Sequence, residues 1–100
     1  MTRLCAVTDL VEGEIHRVEL DGGHAIAVYL LDGEVFASDD LCTHGEASLA
    51  EGEIEDGKIV CPFHLGSFDI RTGAPCAAPC SIAIKVYPVA IVDDGVHIEF

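Results

Sequence analysis

The chain has 100 residues, half of them hydrophobic and 23% charged, which allows one domain (1–100) and excludes a disordered chain, since disorder goes with too little apolar surface to offset ordering entropy. Eighteen Asp and Glu against five Lys and Arg give a formal net charge of −13. Phosphate backbones and anionic membranes repel such a chain, so nucleic acid and membrane are excluded as partners, whereas a basic protein surface is not.

In chain order, residues 1–14 contain Asp9, Glu12 and Glu14 and so lack the apolar stretch of a secretory signal, which predicts a cytoplasmic protein. Residues 8–11 predict one helical turn with Thr8 as its N-cap. Residues 15–20 read as a strand ending at the turn Asp21-Gly22-Gly23. Residues 24–31 are almost continuously apolar, the pattern of a strand buried on both faces, and are far shorter than the ~20 residues of a membrane span. Asp32-Gly33 turns this strand into residues 34–38, and Asp56-Gly57 joins 53–55 to 58–61. Finally, 85–92 and 96–100 flank Asp93-Asp94-Gly95, with Asp94-Gly95 as the turn signal; Val96, Ile98 and Phe100 alternate with His97 and Glu99. No long segment keeps a helical period. The fold class predicted is all-β, an antiparallel sandwich or barrel.

Residues 39–81 differ. They are loop-rich and hold four of the five Cys, two of the five His and three of the four Pro. This reads as a site-bearing subdomain inserted between framework segments 1–38 and 82–100. Within it, Cys42-Thr43-His44 and Cys61-Pro62-Phe63-His64 are separated by sixteen residues. Each pair offers one thiolate and one imidazole. Three chemistries compete: a structural Cys₂His₂ zinc site, buried thiols beside surface histidines with no metal, and a two-iron cluster in which two His replace two Cys on one iron. Zinc sites usually draw like ligands from one loop, whereas here each loop mixes the two types. Cys5, Cys76 and Cys80 read as packing residues, because C-x-x-x-C lacks the spacing and context of a redox motif. His16, His24 and His97 read as solvent-edge residues without clustered partners.

Cys42-Thr43-His44-Gly45 and Cys61-Pro62-Phe63-His64-Leu65-Gly66-Ser67-Phe68-Asp69, followed by Thr72-Gly73-Ala74-Pro75, resemble the Rieske [2Fe–2S] proteins. The likeness is strongest to the small ferredoxins of bacterial aromatic-ring-hydroxylating dioxygenase systems of the biphenyl, naphthalene and carbazole types. It implies one [2Fe–2S] cluster on a Rieske-like β framework, with Cys42 and Cys61 on the buried iron and His44 and His64 on the outer iron. It implies that Gly66, Ser67 and Phe68 surround the cluster and that Gly73-Ala74-Pro75 is a third loop covering it.

Charge explains what such ligation does. Two ferric ions and two sulfides carry +2, which two thiolates cancel, so the oxidised site is neutral and the reduced site carries one negative charge. Four thiolates would make the added electron harder to accept; histidine ligation therefore raises the potential to about −150 to +300 mV from about −400 mV. High-potential Rieske proteins carry an extra disulfide and Ser and Tyr hydroxyls near the cluster; the matching positions here are Ala47 and Phe63, and Gly66 and Phe68. Ser67 lies one residue off the Ser position. The cluster is therefore expected at the low end of the range.

The function implied is one-electron transfer from a flavin-containing ferredoxin reductase to a terminal oxygenase with its own Rieske centre, by a monomeric carrier that is not itself an enzyme. The runner-up is a Rieske-like small subunit of an assimilatory nitrite reductase, and the third reading a zinc-stabilised interaction module. Glu46, Glu51, Glu53, Glu55 and Asp56 lie between the ligand loops, either as a solvated face or as a docking surface for basic patches on a partner. Leu65 is a candidate apolar docking point beside His64.

Overall fold

The computed structural model describes residues 2–42, 47–62, 66–77 and 82–99. They form three antiparallel sheets with a Cα radius of gyration of 12.5 Å. In the first, β1 (Thr2–Ala6), β11 (Gly95–Ile98) and β10 (Val89–Val92) lie in the order β1-β11-β10. The second has the order β2-β3-β4-β9, from β2 (Ile15–Glu19), β3 (Ala25–Leu31), β4 (Glu34–Asp39) and β9 (Val86–Tyr87). The third runs β5-β6-β7-β8, from β5 (Glu53–Glu55), β6 (Lys58–Val60), β7 (Ser67–Asp69) and β8 (Pro75–Ala77). Among the described residues, no helix is long and apolar enough to cross a membrane.

The central strand β3 organises the core. Its side chains alternate between two apolar clusters, as a period of two requires. Ala27, Tyr29 and Leu31 join Cys42, Ala47, Leu49, Ile59, Cys61, Phe68, Ile70 and Ile84 on one side. Ile26 and Val28 join Leu4, Cys5, Leu10, Ala37, Tyr87, Val96 and Ile98 on the other. The apolar run of 24–31 thus reflects burial on both faces. Its one large polar atom is satisfied: the Tyr29 hydroxyl lies 2.9 Å from Ser38 Oγ, which donates to the Asp39 carbonyl at 3.0 Å.

The turns follow the expected chemistry with one shift. Asp32 and Gly33 have φ of 51° and 79°, and Asp56 and Gly57 of 49° and 74°, the two left-handed positions of a tight hairpin. In the last hairpin both left-handed positions belong to aspartates, Asp93 at 48° and Asp94 at 61°, and Gly95 starts β11. The reading of Asp94-Gly95 as the turn pair was one residue late. Crowding explains Gly95: a Cβ there would meet Arg3 Nε and His97 Cε1 at 3.0 Å.

Other expectations change. The helical turn is a 3₁₀ turn at Val7–Asp9, preceded by Ala6, not one capped by Thr8; Asp9 accepts a hydrogen bond from the Ala6 N–H at 3.0 Å. Residues 2–6 form a strand the sequence reading missed. Pro88, which has no N–H to donate, divides the expected strand 85–92 into β9 and β10, which belong to different sheets. The loop-rich segment contains two unforeseen short strands, β7 and β8; Pro75 opens β8 at the sheet edge, where proline is tolerated. Cys5 is buried as expected, and burial, then Asp9, raises its thiol pKa against the lowering effect of Arg3. Cys76 is not a packing residue: it is exposed on β8, its Sγ 3.5 Å from the Ala74 carbonyl.

Gly73 couples the third sheet to the second. Its carbonyl accepts a hydrogen bond from Ile84 N–H at 2.9 Å, two residues before β9. Its φ is +79°, and a Cβ would lie 2.1 Å from the Ile84 carbonyl oxygen. Gly73→Ala is expected to destabilise the fold by about 1–3 kcal/mol, read from denaturant midpoints; an unchanged midpoint would refute this packing.

The two tyrosines supply a pH prediction. Burial raises the Tyr29 pKa above the ordinary 10.0, partly opposed by its hydrogen bond to Ser38 and reinforced by Asp40. Burial likewise raises that of Tyr87, reinforced by Asp39, which accepts a hydrogen bond from its hydroxyl. Because the folded pKa exceeds the unfolded one, this contribution is complete below pH 10.0 and is lost as pH rises through the folded value. Phenolate absorbance should stay low in the folded protein at pH 10.0, and unfolding free energy should decline at higher pH.

Candidate metal centre

The two cysteine-headed segments hang from different frames but begin with the same hydrogen bond. In the first, the Cys42 N–H donates to the Ala47 carbonyl at 2.9 Å. In the second, the Cys61 N–H donates to the Gly66 carbonyl at 2.7 Å. Each bond spans five residues and closes a loop whose first residue is a cysteine. Both cysteines are almost fully buried, at 2% and 1% exposure, in the same apolar cluster against β3.

The second loop is the tip of an ordinary hairpin. Val60 pairs with Ser67 between β6 and β7, so Cys61 follows directly from the ladder. The first loop leaves β4 and returns into a 3₁₀ turn, Leu49–Glu51. Its two arms are held by the Leu41–Ser48 bridge, by the Leu49 N–H donating to the Asp40 carbonyl at 2.7 Å, and by the Asp40 side chain. That carboxylate is 3% exposed and accepts hydrogen bonds from Ser48 Oγ at 2.5 Å, Ala50 N–H at 2.9 Å and Arg17 Nε at 3.0 Å. Glu19, then Asp40, raises the Arg17 pKa further, so the guanidinium stays charged.

The donor chemistry fits the group expected. Two thiols from separate loops belong to one apolar cluster, surroundings that suit a cluster whose core charge two thiolates would cancel. His44 and His64, the expected ligands of the other iron, lie outside the described residues, as do Glu46, Phe63 and Leu65. Around the thiols, Phe68 is fully buried, Ser67 and Gly66 are buried, and Ala47 is 3% exposed. No hydroxyl occupies position 66 or 68.

The third-loop expectation needs correction. Ser67 pairs with Ala77 and Phe68 with Pro75, so β8 runs back toward the Cys61 end of the sheet. Gly73 and Ala74 sit at the opposite end of β7, shaped by Asp69, whose Oδ1 accepts hydrogen bonds from Arg71 and Thr72 N–H at 2.8 and 3.1 Å. The Ile70 N–H bond to the Gly57 carbonyl, 3.1 Å, places this turn beside the far hairpin end. Neither Gly73-Ala74 nor the start of β8 at Pro75 is a lid over the cysteines. The segment that follows β8, 78–81, includes Cys80 and lies outside the described residues.

Glu51, Glu53, Glu55 and Asp56 are exposed. Glu53 and Glu55 alternate on edge strand β5 with Ile54, which packs on the apolar cluster. Charges along an open edge prevent further strand pairing, so part of this acidity serves the sheet itself. His24 is a solvent-edge residue as expected, yet not isolated: its Nε2 lies 2.8 Å from Asp39 Oδ1 and 3.4 Å from the Tyr87 hydroxyl.

Three features escaped the sequence reading. Leu41, 60% exposed, directly precedes Cys42, and Ile82, 66% exposed, follows segment 78–81. Asp40 is the third: with Asp40 and Cys42 both facing inward, Leu41 between them must face out. Hydrophobicity ranks leucine inside and aspartate outside, so only the alternation anchored on a buried Cys42 could have signalled the inversion.

Comparison with known proteins agrees with this arrangement. The family model described as the Rieske [2Fe-2S] domain matches residues 1–88. The ferredoxin component of a p-cumate 2,3-dioxygenase system from Pseudomonas putida is 50% identical, covering 94% of this chain and 86% of that protein. A solved ferredoxin of Sphingomonas yanoikuyae B1 superposes with a TM-score of 0.93 at 52% identity, over 98% of this chain and 96% of that one. A chain from a solved complex of reduced oxygenase and oxidised ferredoxin in carbazole 1,9a-dioxygenase superposes with a TM-score of 0.91 at 38% identity, over 97% and 99% of the two chains. With two buried cysteines heading matched loops on one core, and a family match over most of its length, this chain belongs to the Rieske [2Fe-2S] domain family.

Proposed function

We propose that this protein is the ferredoxin of an aromatic-ring-hydroxylating dioxygenase system, carrying single electrons from a flavin-containing reductase to the Rieske centre of a terminal oxygenase. The observation that carries this reading is the pair of loops closed by equivalent bonds at Cys42 and Cys61, in a chain matched almost end to end by ferredoxin components. One [2Fe–2S] cluster, when bound, supplies a site that gains and loses one electron. Cys42, His44, Cys61 and His64 are its proposed ligands, within the proposed subdomain 39–81. No catalytic role falls to this chain; its work is to hold the thiolates in an apolar pocket and to dock.

Phe68 fills with a phenyl ring the place where a hydroxyl would favour the reduced state, and Gly66 offers no side chain at all. These absences lower the potential. Leu41 and Ile82, exposed next to the first ligand loop and to segment 78–81, supply apolar contact for a partner that approaches the centre. The exposed glutamates on and near β5 steer that approach toward basic surfaces. The carrier works as a cytoplasmic monomer, meeting its two partners in turn.

The purified protein should be red-brown, and its reduced form should give a rhombic paramagnetic signal with mean g below about 2. A colourless protein with bound zinc would overturn the reading. His64→Cys should retain iron and change the signal, while Cys42→Ser should abolish the cluster. A redox titration should give a midpoint of about −150 mV; one above about +100 mV would refute the roles given to Gly66 and Phe68. Reduction by the reductase should slow as salt is raised, and a flat salt profile would remove the steering role of the glutamates. Purification in a stable complex with a nitrite reductase would favour the nitrite reductase subunit instead.

A further inference from the structure

The two ligand loops are closed at their first rung in the same way and braced below it differently. Beneath Cys61 the chain is already a sheet, because Val60 pairs with Ser67 and the ladder continues through Ile59 and Phe68. Beneath Cys42 there is no such ladder. Past the Leu41–Ser48 bridge the return arm turns into a 3₁₀ helix. What spans the arms there is one residue, Asp40.

Asp40 is connected on every side. Its N–H donates to the Ala25 carbonyl at 3.1 Å, tying it to the start of β3. Its carbonyl accepts from Leu49 N–H at 2.7 Å. Its carboxylate takes Ser48 Oγ and Arg17 Nε on Oδ2, at 2.5 and 3.0 Å, and Ala50 N–H on Oδ1 at 2.9 Å. Three donors thus converge on the two oxygens of one side chain. An amide could not replace it, since Asn has one acceptor oxygen where two are used. Burying a carboxylate is costly unless it is paired and hydrogen-bonded, and here Arg17 and the two arm donors offset that cost.

We propose that Asp40, held from β2 by Arg17, is the positioning residue of the first ligand loop: it sets the spacing of the loop's two arms and thereby the placement of Cys42 on the cluster. The inference rests on Cys42 being a ligand. The strap lies two residues before Cys42, next to the Leu41–Ser48 bridge and the Cys42–Ala47 bond. Slack at Asp40 therefore reaches the ligand through a short stretch of backbone. The second loop, braced by its own ladder, needs no such group.

The test uses holoprotein with Asp40→Ala, Asp40→Asn and Arg17→Gln, read by the reduced-state paramagnetic spectrum, the midpoint potential and the rate of iron loss to a chelator. Asp40→Ala should shift the g-values and accelerate iron loss by about 10- to 100-fold, the range typical of groups that orient metal ligands. Asp40→Asn should fall between it and the native protein. Arg17→Gln leaves the strap between the arms in place, keeps the measurement possible if Asp40→Ala does not fold, and should shift both readouts in the same direction to a smaller extent. Variants that lose thermal stability yet keep native g-values, potential and iron-loss rate overturn the inference, because a merely structural residue behaves that way. If native protein shows no mixed-ligand signal, or Cys42→Ser retains it, the ligand assignment falls and the inference with it. A native signal that is lost in Cys42→Ser but unmoved in the Asp40 and Arg17 variants overturns the inference alone.

Discussion

Burial of β3 on both faces is the constraint on which the rest of the molecule depends. A strand whose alternate side chains must all leave water needs cover on two sides. One side is covered by the sheet built from the chain's two ends, through Leu4, Cys5, Val96 and Ile98. The other is covered by the β5–β8 sheet and the two cysteine-headed loops, through Ile59, Phe68, Ile70, Cys42 and Cys61. The thiols therefore sit where the core requires apolar contact. Cysteine suits both needs, since it packs as a small hydrophobe and binds soft metal as a thiolate.

From this follows a division between what is rigid and what is presented. The cysteines are locked against Tyr29 and its neighbours, and each is pinned by a backbone bond across five residues. Leu41, directly before Cys42, and Ile82 are by contrast exposed. The packing against β3 that holds the cysteines inside leaves these two large apolar side chains at the surface.

The acidity has more than one origin. Asp40 is buried and spent on the loop arms, Asp69 shapes the turn that leads to Gly73, and Asp32, Asp56, Asp93 and Asp94 occupy left-handed turn positions. Glu53 and Glu55 line an open sheet edge. A net charge of −13 is thus partly a by-product of turns and edges that favour aspartate and glutamate. The exposed remainder is spread over the surface, with Glu12, Glu14, Glu19 and Glu34 as well as Glu51 near β5.

Much of this was readable from local patterns. The Asp-Gly pairs located two hairpins correctly, because left-handed backbone has few takers among the residues. The continuous apolar run identified the double-faced strand, and the C-x-H and C-x-x-H motifs carried the resemblance to the Rieske family to which the chain belongs. Local patterns failed where distant chain decides. Strand β1 forms because β11 lies beside it, and β8 because β7 does, neither of which a short window can register. Gly73-Ala74-Pro75 looked like a lid, yet strand register carried Gly73 and Ala74 to the end of the sheet away from Cys61. Cys76, expected in the core, is exposed, while Asp40, of an ordinarily exposed residue type, is buried. The sequence by itself determined the all-β class, most of the hairpin turns and the family, since these depend on residue chemistry and spacing. Only the tertiary structure decided that Asp40 is taken inside, because its burial depends on donors brought to it by the fold, Arg17 from β2 and Ser48 from the returning arm; with Asp40 and Cys42 both inward, alternation then leaves Leu41 outside.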